Sequence, residues 1–300
     1  MPVTKLLVAN RGEIAIRVIR AAAGLGIRTV AVYSEDEDRS LHVRAADEAR
    51  ALTGTGVPAY LDIEQMVAAA VATGCDAVHP GYGFLSENAA FAQRCAEAGV
   101  AFVGPSVGAL ALFGDKLRAR ALAEAEGVPV LPGTAGEVDV ESARAFMASL
   151  DGAPVIVKAV AGGGGRGMRV VRHPDEIAEA VTRAQSEAKA AFGNGAVYVE
   201  RLVERARHIE VQVVGDHTGA VVHLGERDCS IQRRHQKLIE IAPSPGLPDG
   251  LRARITEAAV RLARAAKYES LGTIEFLVDA TDLRDGSFFA FIEANPRLQV

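Results

Sequence analysis

The chain has 300 residues, of which 49% are hydrophobic and 24% charged, with a formal net charge of −5. That is ample core material for about two globular domains, and the acidic balance gives no electrostatic case for nucleic acid or an anionic membrane as partner. No run of about 18 apolar residues is present to span a bilayer, the N-terminus offers no signal-peptide core, and three cysteines (Cys75, Cys95 and Cys229) without CxxC spacing or a histidine cluster predict reduced thiols in a cytoplasmic protein and no zinc site.

Residues 5–33 predict a βαβ opening. KLLVAN is a short apolar strand, GEIAIRVIRAAAGLG an amphipathic helix with Gly24 and Gly26 near its end, and RTVAVY the next strand. The alternation continues through EQMVAAAVATG (helix), DAVHPG (strand to loop), NAAFAQRCAEAG (helix) and VAFVGP (strand). This predicts a Rossmann-like, mostly parallel sheet with helices on both faces and functional loops at the carboxyl ends of its strands. HPGYGFLSEN (79–88) reads either as a structural Ω-type loop or as a ligand lining.

A second region begins near Val107. GALALFGDKLRARALAEAEG is helical, GVPVLPG a linker and ESARAFMASL another helix. APVIVKAVAGGGGRGMRVV (153–171) then places four consecutive glycines between two apolar β-runs, with Lys158 inside the first. Glycine lets backbone N–H groups approach phosphate oxygens closely. A cation in an apolar strand is costly unless something anionic meets it. The pair predicts a lid over a polyphosphate, with a flexible hairpin turn as the alternative; no Gly-Lys-Ser/Thr follows, so it is not a P-loop. The helix DEIAEAVTRAQSEAKAAF comes next, and then the strands AVYVERLV, RHIEVQVVGD, AVVHLGERDCS, GTIEFLVDA and FFAFIEANP, which predict an α+β unit with an antiparallel sheet. The chain stops at Val300 inside a strand-like, motif-dense segment, which reads as a piece of a longer protein.

Three constellations carry chemistry. Glu275 and Glu293 are equidistant in number from Arg284, so a regular hairpin places them opposite each other. Like charges so placed are destabilising, and a divalent cation between them resolves the conflict. Asn295 shares the face of Glu293, and two carboxylates with an amide oxygen suit Mg²⁺ or Mn²⁺. RHIEVQVV alternates His208, Glu210 and Gln212 with Ile209, Val211 and Val213, giving one core face and one polar wall that fronts either solvent or a ligand. ERDCSIQRRHQK concentrates Arg227, Arg233, Arg234, His235 and Lys237, a solvated basic surface or an anion pocket, and Cys229 beside them reads as a small buried residue.

These segments in this order resemble biotin carboxylase, the ATP-grasp component of biotin-dependent carboxylases. The resemblance rests on LLVANRGEIAIRVIRAA, DAVHPGYGFLSEN, VGPS, GDK, GGGGRGM, YVERLV, RHIEVQV, ERDCSIQRRHQK and EANPRLQV, and it runs from Lys5 to Val300. It implies an N-terminal pre-ATP-grasp domain over 1–113 and an ATP-grasp domain over 114–300, with a lid subdomain near 131–203. It implies that Lys116 and Lys158 meet nucleotide phosphates, that Gly163, Gly164, Gly165 and Gly167 form the lid, and that Met168 lines the adenine pocket. Glu200 and Leu202 match the hinge at the adenine edge, and His208, Gln232 and His235 the nucleotide-side polar wall. Glu275, Glu293 and Asn295 match metal ligands, and Arg297, Gln299 and Val300 a bicarbonate cradle. Lys237 lies near carboxyphosphate and biotin, and with Arg297 it makes the implied catalytic pair.

The implied reaction is attack of bicarbonate on the γ-phosphate of MgATP, giving carboxyphosphate, followed by capture of CO₂ by biotin borne on a carrier domain. The implied partners are that carrier and a carboxyltransferase, with a homodimer or larger complex, and the implied setting is an acyl-CoA carboxylase of fatty acid biosynthesis. Pyruvate or urea carboxylase, a carbamoyl-phosphate-synthetase-like ligase and a non-enzymatic nucleotide-binding module are the alternatives. The glutamate base and the biotin-enolate arginine of the family pattern fall beyond Val300. The 300-residue chain alone is therefore expected to bind MgATP weakly and not to carboxylate biotin.

Overall fold

The computed structural model describes residues 2–161, 167–233, 236–281 and 283–300, leaving aside the side chain of Phe192. Its first part runs β1 (Lys5–Val8), α1 (Gly12–Gly24), β2 (Arg28–Tyr33), α2 (Leu41–Ala45), β3 (Glu48–Ala51), α3 (Gly56–Leu61), α4 (Ile63–Ala72), β4 (Ala77–His79), α5 (Ala89–Glu97) and β5 (Ala101–Phe102). The strands form one parallel sheet in the order β3-β2-β1-β4-β5. Side chains alternate across a strand, so β1 feeds two cores. Leu7 joins Val30, Val78, Met66 and Phe91, while Leu6 and Val8 join Ile14, Val18 and Ile19 of α1. The segments α2, β3 and α3 are too short to show a period in the sequence.

The strand order reverses between β1 and β4, where open parallel sheets form their crevice. Buried Asn10 stands there, just past β1. Its Nδ2 donates to Pro80 O (2.7 Å) and Tyr82 O (2.9 Å), fastening the loop at 79–88.

α6 (Val107–Phe113) and α7 (Lys116–Ala125) follow. The sequence reads as one helix here. The structure breaks it at Gly114–Asp115, because Asp115 Oδ1 caps α7 by accepting the N–H groups of Leu117 and Arg118, each at 3.0 Å. The break sets Lys116 in a first turn, its N–H on Val160 O at 3.2 Å. Next come α8 (Val140–Ser149), β6 (Val155–Ala159), β7 (Arg169–Val171), α9 (Ile177–Phe192) and β8 (Val197–Arg201). The antiparallel sheet β7-β6-β8 packs on α8 and α9 through Met147, Ile177 and Val181. β6 and β7 are the two arms of the expected hairpin, with Val155 opposite Val171. Gly163, Gly164 and Gly165 lie outside the described residues, as does His235.

Gly167 closes the hairpin root at φ +71°, where a Cβ would stand 2.9 Å from the Cβ of Ala159. Gly167→Ala is expected to cost about 1–3 kcal/mol through left-handed strain and this clash. The readout is the thermal unfolding midpoint, and an unchanged midpoint would mean that the root relaxes freely.

The last part is β9 (Ala206–Gly215), β10 (Val221–Arg233), β11 (Gln236–Ile241), α10 (Asp249–Ala265), β12 (Ser270–Asp279) and β13 (Phe289–Asn295). The strands make an antiparallel sheet ordered β11-β10-β9-β12-β13. One face buries Ile209, Val211, Val213, Ile274 and Phe276 against Leu251, Ile255 and Leu262 of α10. Phe276 is fully buried, its ring 5.6 Å from that of Phe289 and 6.3 Å from that of Phe291. A ring so placed contributes about 2–3 kcal/mol. α10 is an element that the reading of strands alone passes over, although Leu251, Ile255, Ala258, Ala259 and Leu262 carry a helical period. A parallel first sheet followed by antiparallel sheets is the α/β and α+β class that the sequence predicts.

Candidate active site

The polar face of the large sheet is built by register. Arg227 pairs with Glu210, Glu210 with Glu275, and Glu275 with Glu293, so one row of charges crosses four strands. The neighbouring row is Gln212, Thr273 and Asn295. The hairpin symmetry read from the sequence thus brings Glu275 and Glu293 opposite each other, although a bulge follows Glu275. Glu210 and Glu275 are 0% and 1% exposed, so here the wall of β9 fronts other side chains and not bulk water.

Three carboxylates in a row require cations. Arg227 Nε donates to Glu210 Oε1 at 2.6 Å. Lys237, on β11, binds Glu210 Oε2 and donates to Glu275 Oε1 at 2.6 Å. Lys116 reaches in from α7 to Glu293 Oε2 at 3.1 Å. Glu275 also accepts from Asn295 Nδ2 at 2.5 Å and is bound at its other oxygen by His208 Nε2. Gln232 Nε2 lies 2.9 Å from His208 Nδ1, and the other ring nitrogen, Nε2, faces Glu275.

Burial pushes the Lys237 ammonium toward neutrality, but Glu275 and Glu210 outweigh it and hold its pKa well above the ordinary lysine value. Lys116 behaves alike, with burial opposed by Glu293 and Tyr198 and the net shift upward. Burial would raise the Glu293 carboxyl, and Lys116, with Lys158 and His208 nearby, brings it down to about 2. Lys116, Lys237 and Glu293 are therefore ionised at neutral pH.

Lys158, 9% exposed in β6, has its anion within the protein: Glu200 Oε2 on neighbouring β8, at 2.6 Å. Glu200 also accepts from Arg120 Nη1 at 3.2 Å. The sequence argument that this lysine needs a negative partner holds, but the partner seen is a carboxylate where a phosphate was expected. The backbone of Glu200 is engaged in the ladder opposite Ile156, and Leu202 spends its N–H on Pro154 O at 2.9 Å. Met168, partly buried, begins the β7 arm next to Gly167.

Arg297 and Gln299 come together at the end of β13. Arg297 Nη1 donates to Gln299 Oε1 (3.3 Å) and Leu298 O (3.2 Å), and Nη2 to Asn295 Oδ1 (3.4 Å). Val300 is exposed. Sequence reasoning missed Glu87, which accepts from Arg297 Nε at 2.6 Å across a separation of 210 residues. Its only signal was membership of the loop at 79–88. Glu210, Cys229 and Glu240 also set ligand-type atoms within 4.8 Å of one another. Both oxygens of Glu210 are taken by Arg227 and Lys237, and burial pushes the Cys229 thiol up, away from the thiolate that a metal needs.

Comparison with known proteins divides the chain in two. Residues 2–110 match the biotin carboxylase N-terminal domain, and residues 115–300 match the ATP-binding domain of the carbamoyl-phosphate synthase L chain. The chain is 55% identical to pyruvate carboxylase of Bacillus subtilis, covering 99% of this chain and 26% of that protein. It is 51% identical to biotin carboxylase of a Nostoc species, covering 100% of this chain and 66% of that one. Among solved structures, the biotin carboxylase–βγ-ATP complex of Campylobacter jejuni superposes with a TM-score of 0.95 at 46% identity, covering all of this chain and 66% of its own. The MgADP, ADP and bicarbonate complex of the biotin carboxylase domain dimer from Hydrogenobacter thermophilus 2-oxoglutarate carboxylase gives 0.93 at 46% identity, with 100% and 65% coverage. The chain thus spans about a quarter of the pyruvate carboxylases and 66% of the Nostoc protein.

Proposed function

Because this chain belongs to the biotin carboxylase family, we propose that it forms part of the site for MgATP-dependent carboxylation of carrier-bound biotin with bicarbonate. The observation that carries the reading is the charge row Arg227, Glu210, Glu275 and Glu293, with Lys237 bridging its two buried acids and Lys116 holding its end. A solvated surface has no use for three aligned carboxylates, two of them buried, held by partly buried lysines.

The residues fit the substrates. Glu275, Glu293 and Asn295 offer oxygen donors from one end of one hairpin, a hard set suited to Mg²⁺ or Mn²⁺. Magnesium, when bound there, neutralises charge on phosphate oxygens. Lys116 and Lys158 are the cations for the nucleotide phosphates, and each now rests on a glutamate that a phosphate would replace. Arg297 and Gln299 hold bicarbonate through the guanidinium fork and the side-chain amide. An oxygen of bicarbonate attacks the γ-phosphorus as the bond to ADP breaks. The carboxyphosphate formed separates into CO₂ and phosphate, the released phosphate takes the N–H proton of the biotin ureido group, and the nitrogen so freed takes the CO₂. Lys237 stabilises the anions of the one-carbon group, and the β6–β7 hairpin excludes water from a hydrolysable intermediate.

The partners in this reading are a biotin carrier domain, a carboxyltransferase and a second biotin carboxylase protomer. In the first reading the final acceptor is an acyl-CoA. Pyruvate is the second reading, favoured by 55% identity to pyruvate carboxylases. The test is ADP release from MgATP by the full-length protein. Release that depends on bicarbonate and rises with biotin is expected. Dependence on ammonia, or nucleotide binding without turnover, would overturn the reading, and transfer to acetyl-CoA, propionyl-CoA or pyruvate then identifies the acceptor.

A further inference from the structure

We propose that Glu87 is a positioning residue for the bicarbonate cradle and decides which edge of the Arg297 guanidinium meets the anion; this rests on the role given to Arg297 above. A guanidinium presents two bidentate edges, one through Nε and one through its two terminal nitrogens. Glu87 Oε1 occupies Nε at 2.6 Å, the shortest contact that Arg297 makes among the described residues. The contacts of the terminal nitrogens to Leu298 O, Gln299 Oε1 and Asn295 Oδ1 are 3.2 to 3.4 Å long, weaker bonds that an anion can displace.

Glu87 stands on a rigid mount in the first part of the chain. Asn88 Oδ1 caps α5 through Phe91 N at 2.9 Å, and Ser86 N–H closes on Gly83 O at 2.9 Å. Phe84 stacks on Tyr60 with centroids 5.1 Å apart, and Arg11 lies 5.8 Å from each ring while paired with Glu37. Asn10 holds the same loop from β1. The first part of the chain thus lends a fixed carboxylate to the second.

Two effects oppose each other when Glu87 is removed. Losing its charge would raise the attraction of Arg297 for an anion, and losing its hydrogen bond would let the guanidinium turn away. Glu87 is 43% exposed at its side chain, so water screens the first effect, and geometry dominates. Glu87→Ala is expected to raise the KM for bicarbonate about tenfold in bicarbonate-dependent ATP hydrolysis, with the KM for MgATP within about twofold. Glu87→Gln keeps an acceptor for Nε without the charge, and it is expected to restore the bicarbonate KM to within about threefold of the parent. An unchanged or lower bicarbonate KM in Glu87→Ala overturns the proposal, as does a parallel rise in both KM values. Arg297→Ala separates the two readings: if it leaves the bicarbonate KM unchanged, the cradle itself is misassigned.

Discussion

Lys237→Ala is expected to lower biotin carboxylation by about 10³-fold while changing the Kd for MgATP less than about threefold. The asymmetry follows from what the ammonium touches. Lys237 binds Glu210 and Glu275, whereas the lysines assigned to the phosphates, Lys116 and Lys158, are held separately by Glu293 and Glu200. Removing it leaves Arg227 on Glu210, and His208 and Asn295 on Glu275, so neither buried acid loses every partner. The variant should therefore fold, although with a lower unfolding midpoint, since breaking a buried pair costs about 3–5 kcal/mol where nothing compensates. Calorimetric titration with MgATP and a carboxylation assay on the same preparation decide the matter. Equal loss of binding and turnover would show that Lys237 serves the nucleotide and not the one-carbon chemistry.

How much of this site could be read in advance depends on how local its determinants are. The pairing of Glu275 with Glu293 was legible, because a hairpin fixes register from its turn and both strands lie within one stretch of sequence. The demand of Lys158 for an anion was legible from its apolar strand. The identity of that anion was not, since it depends on which strand lies beside β6, and that strand, β8, follows a 16-residue helix. The burial of Glu210 was hidden for the same reason: alternation shows which residues share a face, but only the strand order β10-β9-β12 shows that the face is covered by charges on both sides. The contact of Glu87 with Arg297 joins two motifs that were each recognised separately, and nothing in either sequence announces the other.

Glu275→Gln should raise the Mg²⁺ concentration for half-maximal ATP turnover by at least about tenfold, the scale of effect that metal-site substitutions produce. The structure makes the prediction sharper than a ligand count does. All the partners of Glu275 seen here are hydrogen-bond donors: Lys237 and Asn295 at one oxygen and His208 at the other. A cation taking this carboxylate must displace at least one of them, so metal binding and the position of Lys237 are linked. Glutamine removes the charge that attracts the metal and presents an NH₂ group to it, but it also frees Lys237 from one of its two acids. Two roles for Glu275 then give opposite signatures. If it is a ligand, the Mg²⁺ titration shifts and saturating metal restores much of the rate. If it serves only to hold Lys237, the titration stays where it was and the rate falls at every metal concentration, an outcome that would refute the ligand assignment. Glu293 supplies the internal comparison. Its carboxyl, brought down to about 2, is ionised far below neutral pH. A Mg²⁺ requirement that steepens between neutral pH and about pH 5 would then report on groups other than Glu293. Mn²⁺ binding followed by electron paramagnetic resonance measures the same shift without turnover, and there Glu275→Gln and Glu293→Gln should each weaken the ion while the unfolding midpoint registers only the lost ion pair.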